Sequence, residues 1–180
     1  MSLLQRFLGI GDKPESQSSQ PSAGTESVRR IAAELESLPP SRARHLAAFA
    51  YVLARVAQAD LEVDAAEKAE MERAVRTLAA LEEAEARVVV EIAWTQARDL
   101  GGTENYLVTR EFKNHSTLEE RVRLVECVFA VAAADGGISS RESGEALAIA
   151  EELGFTRAQA LGMRSAWREH LDELRELPKG

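Results

Sequence analysis

Two acidic turns stand out as places where side-chain chemistry could occur. The first is "AQADLEVDAAE" (Ala57 to Glu67) and the second is "AAADGGISSRE" (Ala132 to Glu142). They align at a constant offset of 75, since 135 − 60 = 75 and 142 − 67 = 75. Asp60, Glu62 and Asp64 alternate like the opening of a calcium loop, and Glu67 follows one helical turn later. Hard cations such as Ca²⁺ and Mg²⁺ take several carboxylate and carbonyl oxygens. The first turn therefore offers Asp60, Glu62, Asp64 and Glu67 as ligands, and the second offers Asp135 and Glu142. Neither turn is an EF-hand, because glycine at the sixth place and glutamate at the twelfth are replaced by Ala65 and Met71 in the first copy, and by Ser140 and Ala146 in the second.

The same residues carry a second reading. Asp64–Glu67 and Ser139–Glu142 both have the spacing of a capping box, in which the first side chain accepts from a helix N–H and the glutamate reaches back. Asp and Ser are interchangeable as caps but not as ligands, so Ser139 favours capping in the second copy. A helix corner, a divalent-cation site, or both, fit the pattern.

Other chemistry lacks its parts. His45, His115 and His170 have no zinc-ligand spacing, and each is expected at the surface or in a cap. Ser139, Ser140 and Ser143 have no histidine base nearby in sequence. Gly101-Gly102 and Gly136-Gly137 have no following lysine and no preceding strand, so they read as turn glycines rather than a phosphate cradle. Cys127 is the one cysteine, set in "LVECVFAVAAA", and reads as a packed, inert thiol in a reducing compartment. Trp94 and Trp167 are expected in the core, and Glu91 and Glu126 interrupt otherwise apolar helices.

The elements that would position the turns are helices. Apolar residues are 45% of the 180 and aromatics 5%, so the core rests on Ala, Leu, Val and Ile. Helical periodicity places a first helix at 26–37, ending at "LPP", and a second after Ser41 through "HLAAFAYVLARVAQA". A third opens at Asp64, a fourth covers about 82–99, and a short one covers 103–113. The next begins at Ser116, where "STLE" reads as a capping box, and runs to about Ala134. Another runs from about 140 to Leu153, with Gly154 placed to end it, and the last opens at "TRAQ" and runs toward Pro178. The 75-residue offset extends to the flanking helices, giving repeat units at about 42–80 and 117–154. The expected fold class is all-α: a bundle of two related helical hairpins within residues 25–178.

Residues 11–24, "GDKPESQSSQPSAG", hold almost nothing apolar and read as a flexible linker. Ahead of it, residues 1–10 carry Leu3, Leu4, Phe7, Leu8 and Ile10 on helical spacing. A short amphipathic piece of this kind docks on a partner, on its own domain or, through residues 2–10, peripherally on a membrane; its single Arg6 makes protein docking the stronger reading. The net charge of −8, with ten acids against four bases between Asp60 and Glu91, opposes nucleic-acid binding. No apolar run approaches the ~20 residues that span a bilayer, and a cytoplasmic location is expected.

The stretches "EERVRLVECVFAVAAADGGISSRESGEALAIAEELGF" and "FAYVLARVAQADLEVDAAEKAEME" resemble the TerB family of tellurite-resistance proteins. The chain is similar in particular to an uncharacterised bacterial TerB-like branch, in which an element like "YLVTREF" (Tyr106 to Phe112) precedes the second unit, and more distantly to the helical domain of the co-chaperone DjlA. The likeness covers roughly residues 42–168. It implies an all-α fold of two related units, no catalytic activity, and acidic corners that serve as divalent-cation sites: Asp60, Asp64 and Glu67 in the first, Asp135 and Glu142 in the second. It further implies a helical adaptor or sensor in tellurite or chemical stress, or alternatively a co-chaperone-type or membrane-recruited interaction domain. The protein partner is not named by the resemblance.

Overall fold

The computed structural model describes Ala33 and residues 35–56, 65–97, 105–134 and 136–175. The amphipathic segment at 1–10 and the linker at 11–24 lie outside them. Among the described residues the chain is all-α, with eight α-helices and no sheet. It divides into two compact units, Met1–Arg44 and His45–Gly180.

In the first unit, Leu35 and Glu36 are helical and the helix is over by Ser37, before the Leu38-Pro39-Pro40 run. Helix α1 (Pro40–Ala54) opens on Pro40, earlier than the start after Ser41 expected from sequence. Proline suits the first helical position, where its missing N–H costs nothing and its fixed φ is already helical.

In the second unit α1 continues as an apolar helix whose Leu46, Ala50, Val52, Leu53 and Ala54 are all essentially inaccessible to solvent. Helices α2 (Ala65–Ala79) and α3 (Glu83–Ala97) follow. Met71, Val75 and Ala79, spaced by four, put one stripe of α2 inward. Helix α4 (Asn105–Asn114) leads to α5 (Leu118–Ala132), the central element, with Leu124, Val125, Cys127, Val128, Phe129, Val131 and Ala132 buried. Helix α2 packs on α5 and α3, and α5 also packs on α6 (Ser140–Glu152) and α7 (Arg157–Ser165). Helix α6 packs on α7 and α4.

Capping fixes several of these boundaries. Helix α5 is capped by Thr117, not Ser116: Thr117 Oγ1 accepts from the Glu120 N–H at 3.2 Å, and the Thr117 N–H donates to Glu120 Oε2 at 2.7 Å. The expected "STLE" box is therefore shifted by one residue, to "TLEE", and Ser116 instead donates back to the Lys113 carbonyl at 3.5 Å. Helix α7 opens at "TRAQ" as expected, and a capping box between Thr156 and Gln159 fixes that start.

Helices α2 and α6 end alike. After α2, Ala80 takes φ 51° and the Leu81 N–H donates to the Arg76 carbonyl. After α6, Gly154 takes φ 98° and the Phe155 N–H donates to the Ala150 carbonyl. Each is a left-handed stop closed by a bond spanning five residues, with a buried apolar residue just beyond.

The last helix corrects the sequence expectation most. It does not run toward Pro178 but stops at Ser165, followed by a turn, a 3₁₀ turn (Arg168–His170) and a short α8 (Asp172–Arg175). The cause is a long-range partner: Ile138, at the second acidic turn, pairs in parallel with Leu171.

Candidate functional site

Of the six acidic residues singled out in the sequence, the side chain of Glu142 alone lies within the described part. Asp60, Glu62, Asp64 and Asp135 are outside it. Glu67 is in α2, but its side chain is also outside. Around Glu142 the geometry is that of a cap. Ser139 Oγ accepts from the Glu142 N–H at 3.2 Å, and Glu142 Oε2 accepts from the Ser139 N–H at 2.9 Å and hydroxyl at 2.7 Å. That carboxylate thus satisfies two donors at the start of α6. Among the described residues no three His, Cys, Asp or Glu side chains converge as a metal cluster.

Chain segments distant in sequence reinforce this corner. Gly136 has φ 102°, a left-handed conformation that glycine adopts without penalty. A Cβ at Gly137 would meet the Asp172 carboxylate, which would have to swing aside to admit it. Ile138 donates its N–H to the His170 carbonyl at 2.6 Å and accepts from the Asp172 N–H at 3.1 Å. Ile138 and Leu171 are both 1% exposed. Arg175 donates to the Gly136 carbonyl, and Arg164 bridges Glu173 and Ser143 Oγ, the latter at 2.6 Å. Ser143 is thus a buried acceptor for Arg164, and Ser139 alone of the three serines caps the helix.

A second constellation went unread in the sequence. Arg55, directly after α1, is buried and reaches two other helices. Its guanidinium donates to Glu145 Oε1 at 2.8 Å, to Glu152 Oε2 at 2.6 Å and Oε1 at 3.2 Å, and to the buried Thr109 hydroxyl at 2.7 Å. Burial acts to lower the Arg55 pKa, but the hydrogen bond to Glu152 and the charges of Glu145 and Glu152 outweigh it and hold the pKa above the ordinary value. A lone arginine in the apolar run "AAFAYVLARVA" was the available signal, because a buried charge needs a partner. Glu145 and Glu152, seven apart and so on one face of α6, were the matching half.

The remaining candidates fall into place individually. His45 is not at the surface: it is 13% exposed by side chain, 4.8 Å from the Phe112 ring and 3.8 Å from Glu120. His115 is exposed beside Glu111 at 3.1 Å, and His170 is exposed while its carbonyl holds Ile138. Trp94 and Trp167 are half-buried rather than core residues, and Trp167 lies nearly parallel to Phe129 at 6.4 Å. Glu91 pairs with Lys68 at 3.4 Å and its side chain is 12% exposed. Cys127 is fully buried, and burial, aided by the Glu126 charge, pushes its thiol up to about 12.

The carboxylates described above therefore cap helices, as Glu142 does, or hold cations of the chain itself, as Glu145 and Glu152 do. No curated protein and no solved structure matches the sequence. A family model does: the one described as "Tellurite resistance protein TerB" matches residues 45–165. That span opens at His45, takes in the Arg55 network and both acidic turns, and closes at the end of α7. With two thirds of its length matched and an all-helical architecture, the chain belongs to the TerB family, whose domains are non-catalytic.

Proposed function

We propose that the chain is a non-enzymatic adaptor or sensor module of bacterial stress response, tuned by a divalent cation held at its acidic corners. The observation that carries this reading is the TerB match across residues 45–165. The corners belong to two related hairpins: α2 starts at Ala65 and α6 at Ser140, and 140 − 65 = 75, the offset at which the acids recur. The left-handed stops after α2 and α6 are alike in kind and fall 154 − 80 = 74 apart, one residue short of that offset, which fits related hairpins that differ by one residue between helix start and stop. Asp60, Glu62, Asp64 and Glu67 are the stronger ligand set. In the second corner Glu142 is engaged by its cap, leaving Asp135 with fewer companions. The cytoplasm is the proposed compartment; among the described residues no helix is long and apolar enough to cross a membrane.

Calorimetric titration with Ca²⁺, Mg²⁺ and Mn²⁺ tests the cation. Heat of binding in the native chain, lost in an Asp60→Ala, Asp64→Ala double variant, is expected. Equal heats in both proteins would remove the cation from the reading and leave the adaptor. The amphipathic spacing of residues 3–10 favours one alternative, a co-chaperone-type or membrane-recruited interaction domain with that segment as its hook. Deleting residues 1–11 and measuring sedimentation with liposomes decides it: reduced partitioning supports recruitment, and unchanged partitioning excludes it.

A further inference from the structure

The segment after α7 behaves as a ligand bound by its own chain. Its last helical turn breaks at Ser165 with no proline or glycine between there and Leu171 to force the break. The residues instead leave helical geometry to meet Ile138, whose N–H and C=O are both taken by backbone of residues 170–172. Two apolar side chains of the segment, four positions apart, are seated. Trp167 stacks on Phe129 and Leu171 is shut away from solvent beside Ile138. Charge then fixes the direction: Arg164 takes the carboxylate two places after the leucine, and the Gly136 carbonyl takes the guanidinium four places after it. The absence of a Cβ at Gly137 makes room for the carboxylate at Asp172.

Ile138 is a single bridge residue outside any strand, but its pairing combines the two parts of extended-peptide recognition, main-chain bonds for affinity and side-chain seats for specificity. We propose that the Ile138 edge is a peptide-docking site self-occupied by residues 167–175, and that a partner's segment of the same pattern displaces them. That pattern is an aromatic residue, an aliphatic one four places on, then acid and base two and four places beyond it. The proposal deepens the adaptor reading and rests on it for the existence of a partner; the edge itself is testable without one.

The test uses a fluorescent peptide of residues 166–175 added to the full chain and to two variants altered on the displaced segment alone. Leu171→Asp removes the seated side chain, and Glu173→Lys with Arg175→Glu reverses the charges while leaving Phe129, Ile138, Arg164 and Gly136 in place. The native chain, with its edge filled nearly all the time, binds the peptide at least about tenfold more weakly than either variant, because apparent affinity scales with the fraction of open sites. A peptide carrying Leu171→Asp binds neither. Should Leu171→Asp fail to keep native helix content, the charge-reversed chain decides alone. Absence of peptide binding to a folded variant, or equal binding to native and variant chains, overturns the proposal and leaves the adaptor reading standing on family membership. A chain that binds the peptide yet yields no partner from its native cell keeps the edge and loses the adaptor.

Discussion

At the scale of single residues, the strongest electrostatic commitment is Arg55. Its side chain is 5% exposed, and those of Glu145 and Glu152 are 34% and 21% exposed. Deleting the guanidinium takes the shared cation from two carboxylates and one donor from the buried Thr109 hydroxyl, and removing one member of such a set is far costlier than never having had it. Arg55→Ala is expected to lower unfolding free energy by about 3 kcal/mol in urea titration. Glu152→Gln should cost more than Glu145→Gln, because Glu152 accepts through both oxygens. Cys127 makes the opposite kind of prediction. The native state keeps its thiol protonated up to about 12, whereas an unfolded chain ionises from the ordinary thiol value of 9.0. Above that lower value the native state holds more protons than the unfolded one. Stability therefore falls as pH rises between the two values, by at most about 1.4 kcal/mol per unit. Cys127→Ala is expected to flatten that slope, as read by unfolding titrations between those limits.

At the scale of elements, the boundaries set by local chemistry were legible and those set by distant partners were not. Ser139 with Glu142 and Thr156 with Gln159 are three residues apart, so the sequence itself contains both halves of each cap. The α5 cap slipped by one because "STLEE" offers two overlapping boxes of equal local merit. The break after Ser165 had no local mark at all, since its cause, Ile138, lies 27 positions upstream, 165 − 138 = 27. Arg55 was visible as a residue, but its partners sit on α4 and α6, and no spacing rule connects them to the end of α1. The two left-handed helix stops allow a quantitative check. Gly154 adopts its φ freely, but Ala80 holds a conformation that strains any residue with a Cβ. Ala80→Gly is expected to raise stability by about 0.5–1 kcal/mol, the strain relieved less the extra chain entropy of glycine. A loss of stability in denaturant titration would mean that α2 does not stop as described.

At the scale of the whole molecule, the low aromatic content, the succession of helix signals and the lack of strand signals all pointed to a helical core, and the described residues form one. Corner function is a different matter. Carboxylates at a helix start are equally at home accepting from free N–H groups and ligating a cation, and Glu142 commits one oxygen, Oε2, to its cap. The central claim is that the acids of the doubled corner act by organising bends and holding a cation, not by cutting bonds. The most direct test is Mn²⁺ titration of isotopically labelled chain, followed by paramagnetic broadening of amide signals. The account predicts selective loss of signals at residues 60–67 at substoichiometric metal and weaker broadening at 135–142, with the first loss absent and the second unchanged in the Asp60→Ala, Asp64→Ala variant. Uniform broadening across the molecule, or broadening centred away from both corners, would contradict it.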